Sequence, residues 1–195
     1  EALEGLTAIG GDLWIQNSYA LTDLGGLADL KEVGGDLKVV DNQNLIFLDG
    51  LEALETVGGD LQITSEDKLL DIDGLGTLSW VGGDLEISGN EKLAHLDGLW
   101  GLTTIEGKLN IHGNDAMDDI SGLSNLQVVG GDFLFHQNDE VCQDDVDALV
   151  AGLSVGGDTT TYLNDGLCQP PPDPCDPSPC QNGGTCTAVE AAFEC

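Results

Sequence analysis

Two groups of residues have types and spacings that could do chemistry. His112 and His136 stand 24 residues apart, and all six cysteines fall between Cys142 and Cys195. An imidazole pair brought side by side could share a transition metal. Thiols concentrated in one stretch read as a local disulfide framework formed in an oxidising compartment. Neither group is a catalytic signature. No candidate nucleophile stands beside a base, and the chain has no arginine to hold an anionic substrate. A closed metal site also needs ligands beyond two imidazoles, so the preferred reading is two surface histidines, with no metal and no resident cofactor. Charge narrows the partners further. Against 36 acidic residues stand five lysines, for a formal net charge of −31. Nucleic acid is excluded as a partner, because its phosphates would be repelled. Such acidity suits a solvated exterior, cationic partners, or surface divalent cations such as calcium.

The elements that must position these residues are written as a repeat. Gly-Gly-Asp-Leu begins at Gly10, Gly34, Gly58 and Gly82, and its variants begin at Glu106 and Gly130, each start 24 residues after the last. One more Gly-Gly-Asp begins at Gly156, after a step of 26. With the first residue of the motif as position 1, apolar residues recur at positions 4, 6, 12, 15, 18, 21 and 24, as in Leu37, Val39, Leu45, Leu48, Leu51, Leu54 and Val57. Positions 4 and 6 alternate as a strand does, and the later steps of three suit a chain bending round a core in short extended pieces. No helical repeat of about 33 or more residues fits this period. A coil of this kind cannot bury its own leucines, so neighbours must stack at roughly 4.8 Å. Six to seven coils then make a rod on the order of 30 Å long.

Position 9 is Asn in Asn42, Asn90, Asn114, Asn138 and Asn164, the pattern of a stacked Asn ladder at a corner. The Gly pair supplies a turn, and the Asp at position 3 is expected to cap it. Open ends of a stack need covering. Val146, Leu149, Val150 and Leu153 share one face of a short helix, with Asp144 and Asp145 near its start, so a C-terminal capping helix is expected. Cys142 and Cys168 both occupy position 13 of their coils and should stack within disulfide reach. No run of eighteen apolar residues and no basic, apolar leader is present, so membrane insertion by this segment is not expected.

The pattern G-G-D-L-x-I followed by N-x-x-L-x-x-L-x-G-L-x-x-L-x-x-V resembles the receptor L domain over residues 1–168. That resemblance implies an all-β fold, a right-handed parallel β-helix, of the regular kind found in bacterial surface proteins. After a Pro-rich linker at 169–174, Cys175, Cys180, Cys186 and Cys195 resemble the first part of an EGF-like module at 175–195. The module's family pairing implies Cys175–Cys186 and Cys180–Cys195. Ala188, and the Pro-Pro-Asp-Pro before Cys175, depart from the calcium-binding version of that module.

The receptor L resemblance also implies where a partner would lie, against the outward side chains of the G-x-L-x-I strand. Position 5 reads Trp14, Lys38, Gln62, Glu86, Asn110 and Leu134; position 7 reads Gln16, Val40, Thr64, Ser88, His112 and His136. The candidate ligand-binding residues are Trp14, Lys38, Val40, Gln62, Asn110 and Leu134. Trp14, Val40 and Leu134 are apolar where solvent is expected, as contact anchors are; Trp14 and Leu134 can equally cover the ends of the stack. Trp100 faces Gly76 one coil away and fills the missing side chain's space, or forms an aromatic ledge with Trp80. A polysaccharide-cleaving enzyme would need polar insertions and cationic groups that are missing, and an ice-binding solenoid would need a Thr column that position 5 lacks. The reading is therefore a non-catalytic extracellular or cell-surface recognition or adhesion ectodomain with a protein or glycan partner; the alternative is a passive stalk.

Overall fold

The computed structural model describes residues 3–168, together with the backbone of two antiparallel strands at Thr187–Val189 and Ala192–Glu194. The linker at 169–174 and the pairings Cys175–Cys186 and Cys180–Cys195 lie outside the described residues. What is described is an all-β parallel solenoid with one short helix. Its wide wall is a seven-stranded parallel sheet made of Leu13–Gln16, Leu37–Val40, Leu61–Thr64, Leu85–Ser88, Leu109–His112, Phe133–His136 and Thr159–Tyr162. A second wall stacks seven two-residue strands, from Ala8–Ile9 and Glu32–Val33 up to Ser154–Val155.

Register follows the repeat directly. Leu13 pairs with Leu37, Leu37 with Leu61, Leu61 with Leu85 and Leu85 with Leu109. The last step, Phe133 to Thr159, carries the two extra residues. Residues at one position of the motif are thus vertical neighbours, and like side chains interdigitate with like. The second to fourth coils bury positions 4, 6, 12, 15, 18, 21 and 24 almost completely, from Leu37 and Val39 through Val57 and on to Ile105. Each leucine so removed from water contributes roughly 1.5–3 kcal/mol, which offsets the cost of fixing so many short turns. In the first coil Leu13, Ile15 and Leu21 are only partly buried, because Leu13–Gln16 is an edge strand of the wide sheet among the described residues.

The third side was expected as bent extended chain, and four coils instead close it with a single 3₁₀ turn, at Gly25–Leu27, Asp73–Leu75, Asp97–Leu99 and Ser121–Leu123. Apolar steps of three match this turn's own period, so a Leu at either end of it can point inward. In the last full coil the helix Gln143–Gly152 takes this place, burying Val146 and packing Leu149 and Val150 against the core. Asp144 and Asp145 sit in its first turn, where the helix dipole favours negative charge. Directly before it, Cys142 is bonded to Cys168, with Cα atoms 4.7 Å apart, tying the last rung to the one below.

Two hydrogen-bond ladders hold the corners. Asn42 Oδ1 accepts from the Ser18 backbone N–H, and its Nδ2 donates to the Ile15 carbonyl. Asn90, Asn114 and Asn138 repeat the second bond to Ile63, Ile87 and Ile111. The Asp at position 3 does not cap its own turn. Asp12 Oδ1 accepts from the backbone N–H of Asp36, Asp36 from Asp60, Asp60 from Asp84, and Asp84 from Lys108, all at 2.9–3.0 Å. The N–H at this corner points along the stack, so the acceptor has to come from the neighbouring rung. That bond holds the Asp36 carboxyl below its usual range, with the Lys38 ammonium adding to the effect.

Candidate binding face

The outward side of the wide sheet carries every candidate contact residue, because strand alternation sends positions 4 and 6 inward and positions 5 and 7 outward. Trp14, Lys38, Gln62, Glu86, Asn110 and Leu134 form one unbroken row by strand register, continued by Thr160. Gln16, Val40, Thr64, Ser88, His112 and His136 form the parallel row, continued by Tyr162. Tyr162 and Thr160 are additions to the sequence reading. The signal was available, since both take positions 7 and 5 when the count restarts at Gly156.

The rows differ in character along their length. At the first rung Trp14 is 56% exposed, and the Lys38 ammonium lies 5.6 Å from its ring centroid. Lys38 also meets the Asp36 carboxylate at 3.2 Å, so the cation is held between an aromatic face and an anion. At the end of the stack an open cavity of about 390 Å³ is lined by the inward-facing Leu13, Ile15, Leu21, Leu24 and Leu27, with Trp14, Gln16, Ser18 and Asp23 also on its wall. In the middle of the sheet the rows are polar: Gln62, Thr64, Glu86 and Ser88, with the Ser88 hydroxyl donating to Glu86 Oε1 at 3.2 Å. Ser88 itself is buried and offers little surface.

Toward the last rungs the position 7 row becomes a stack of planar rings. The His112 and His136 rings lie 5.0 Å apart and within 9° of parallel, and His136 and Tyr162 lie 4.9 Å apart and within 3°. His136 Nδ1 lies 3.2 Å from Gln137 Oε1, and His112 Nε2 lies 4.0 Å from Glu86 Oε1. Partial burial lowers the His112 pKa, the His136 ring lowers it further, and Glu86 opposes both. Beside them, Asn110 Oδ1 is buried without a hydrogen-bond partner among the described residues. Leu134 is half-buried in this region with Thr160 stacked beyond it, so it does not end the stack.

Trp100 closes its 3₁₀ turn and lies over Gly76, its Nε1 3.3 Å from where a Cβ on that glycine would stand. Trp80 belongs to the narrow sheet between Thr56 and Thr104, and its indole N–H donates to Glu106 at 3.3 Å. The two indoles occupy different sides of the coil. Cys142, Asp144 and Cys168 also bring ligand-type atoms together, but the two sulfurs are bonded to each other and offer no thiolate. No helix among the described residues is long and apolar enough to cross a membrane.

Fold and face together define a class: a parallel β-solenoid of 24-residue coils that presents the outer wall of its wide sheet. A family model described as Receptor L domain matches residues 55–143, which span the third to sixth rungs. No curated protein and no solved structure matches the chain.

Proposed function

We propose that this chain is a non-catalytic extracellular recognition domain that engages a protein partner across the outward face of the wide sheet, centred on Trp14, Lys38 and Val40. The observation that carries this reading is on the outward face itself: an exposed indole, Trp14, with the Lys38 ammonium over its ring. Isolated exposed apolar residues are ordinary, whereas an exposed tryptophan paired with a cation on a continuous row of outward side chains is of the kind that dominates contact hot spots. The match to the Receptor L domain model supports ligand binding as the role and the outside of the cell as the place. The disulfide between Cys142 and Cys168 supports the same compartment. Residues 1–168 are read as one solenoid domain, 169–174 as a stiff spacer, and 175–195 as the start of an EGF-like module of a surface protein.

A screen of the fragment against extracellular proteins and glycans, run beside the Trp14→Ala, Leu134→Ala double variant, tests this. Loss of a protein binder by about thirtyfold or more in the variant is the expected result, since a central aromatic anchor is worth on the order of 2 kcal/mol. Equal binding by both forms removes the face from consideration. A glycan binder changes the partner class, and no binder at all leaves a passive stalk as the better reading.

A further inference from the structure

We infer that Glu86, Asn110, His112 and His136 form a surface site for a divalent transition metal of the zinc class. Four observations converge on it. The two imidazoles belong to adjacent parallel strands, in register and nearly parallel at 5.0 Å, so both rings must turn out of their stack to bring one nitrogen from each onto one ion. Cross-strand neighbours on one face are close enough to share a ligand of this size.

His136 Nδ1 lies 3.2 Å from Gln137 Oε1, and in the tautomer that donates from Nδ1 the lone pair is on Nε2, the arrangement by which second partners prepare metal-binding histidines. Glu86 supplies a carboxylate already 4.0 Å from His112 Nε2. Asn110, on the same strand as His112 and in register with Glu86, supplies an amide oxygen that is buried and unpartnered among the described residues. A buried amide oxygen without a donor is costly, and a cation nearby would relieve it. Two imidazoles with one carboxylate and an amide oxygen suit zinc, nickel or copper and give calcium or magnesium little to hold. The site shares a wall with the proposed partner face but needs no partner to be tested.

Calorimetric titration of Zn²⁺ into the full chain, in about 0.3 M NaCl to screen diffuse attraction to the acidic surface, should resolve one site. His112→Ala and His136→Ala should each weaken it by more than about tenfold; Glu86→Gln and Asn110→Ala should weaken it less. The conservative His112→Gln and His136→Gln variants guard against loss of fold, checked by circular dichroism. Titration with Cu²⁺, followed by electron paramagnetic resonance, should show nitrogen hyperfine structure from two imidazoles. Unchanged zinc affinity in the double histidine variant, displacement of Zn²⁺ by equimolar Ca²⁺, or a copper spectrum from oxygen ligands alone would each overturn the site.

Discussion

Glu66 holds position 9 of the third coil, the place of Asn in five rungs above and below it. It is the only buried acidic side chain among the described residues. Its carboxylate accepts the Asn42 backbone N–H and the Asn42 Nδ2, while its own N–H donates to Asn90 Oδ1. Burial pushes its pKa up, and the bonds from Asn42 only partly oppose this. The folded chain therefore binds a proton more tightly than the unfolded one. This group's contribution to stability falls as pH rises from the ordinary glutamate value through the raised one, and it stays low above. An Asn here would restore the donated bond that its neighbours make to the rung below, aimed at the Val39 carbonyl. Glu66→Asn should stabilise the fold by about 1–3 kcal/mol at pH 7. The gain should shrink toward zero near pH 4, as thermal melts of both forms across that range would show.

At the scale of the coil, two glycines test two different demands. Gly113 sits at position 8, where every rung adopts positive φ: Asn17, Asp41, Ser65, Gly89, Gln137 and Leu163 share it. A Cβ there has room, its nearest neighbour being the Gly89 nitrogen at 3.7 Å, so Gly113→Ala should cost only about 1–2 kcal/mol of backbone strain. Gly58 has no positive φ, and a Cβ on it would run into the Gly34 carbonyl of the rung below. Gly58→Ala should cost about 3 kcal/mol or more, because backbone on both rungs must move. Urea midpoints of the two variants should separate clearly. The Gly pairs read from sequence as turn formers are therefore spacing devices, which let one corner sit directly on the next.

The whole molecule carries its charge as columns. Asp12, Asp36, Asp60 and Asp84 stack at one corner, and Asp49, Asp73 and Asp97 lie near one another at another, where burial and the surrounding carboxylates raise the Asp73 pKa. Five lysines relieve little of this. Lys31–Glu55 at 3.9 Å and Lys108–Asp84 at 3.3 Å are solvent-facing pairs, each worth under about 1 kcal/mol. Screening should therefore remove more repulsion than attraction. Raising NaCl from about 10 mM to 0.5 M should raise Tm, and a fall in Tm would mean that the lysine pairs dominate.

Sequence alone determined the columns. A strict 24-residue period makes position equivalent to height, so the buried leucines, the Asn ladder and the neighbouring of Cys142 with Cys168 could all be read by counting. Periodicity does not say which way a polar group reaches along the stack. The Asn amides accept from the rung before them and the Asp carboxylates from the rung after, a choice made by the direction of each corner's backbone N–H. Likewise, only packed neighbours decide that Glu66 is sealed in, that Asn110 lacks a donor, and that two imidazoles and a phenol lie ring on ring. Those outcomes depend on side-chain orientation and on how completely neighbours close over a group, and spacing, which names the vertical neighbour, carries neither.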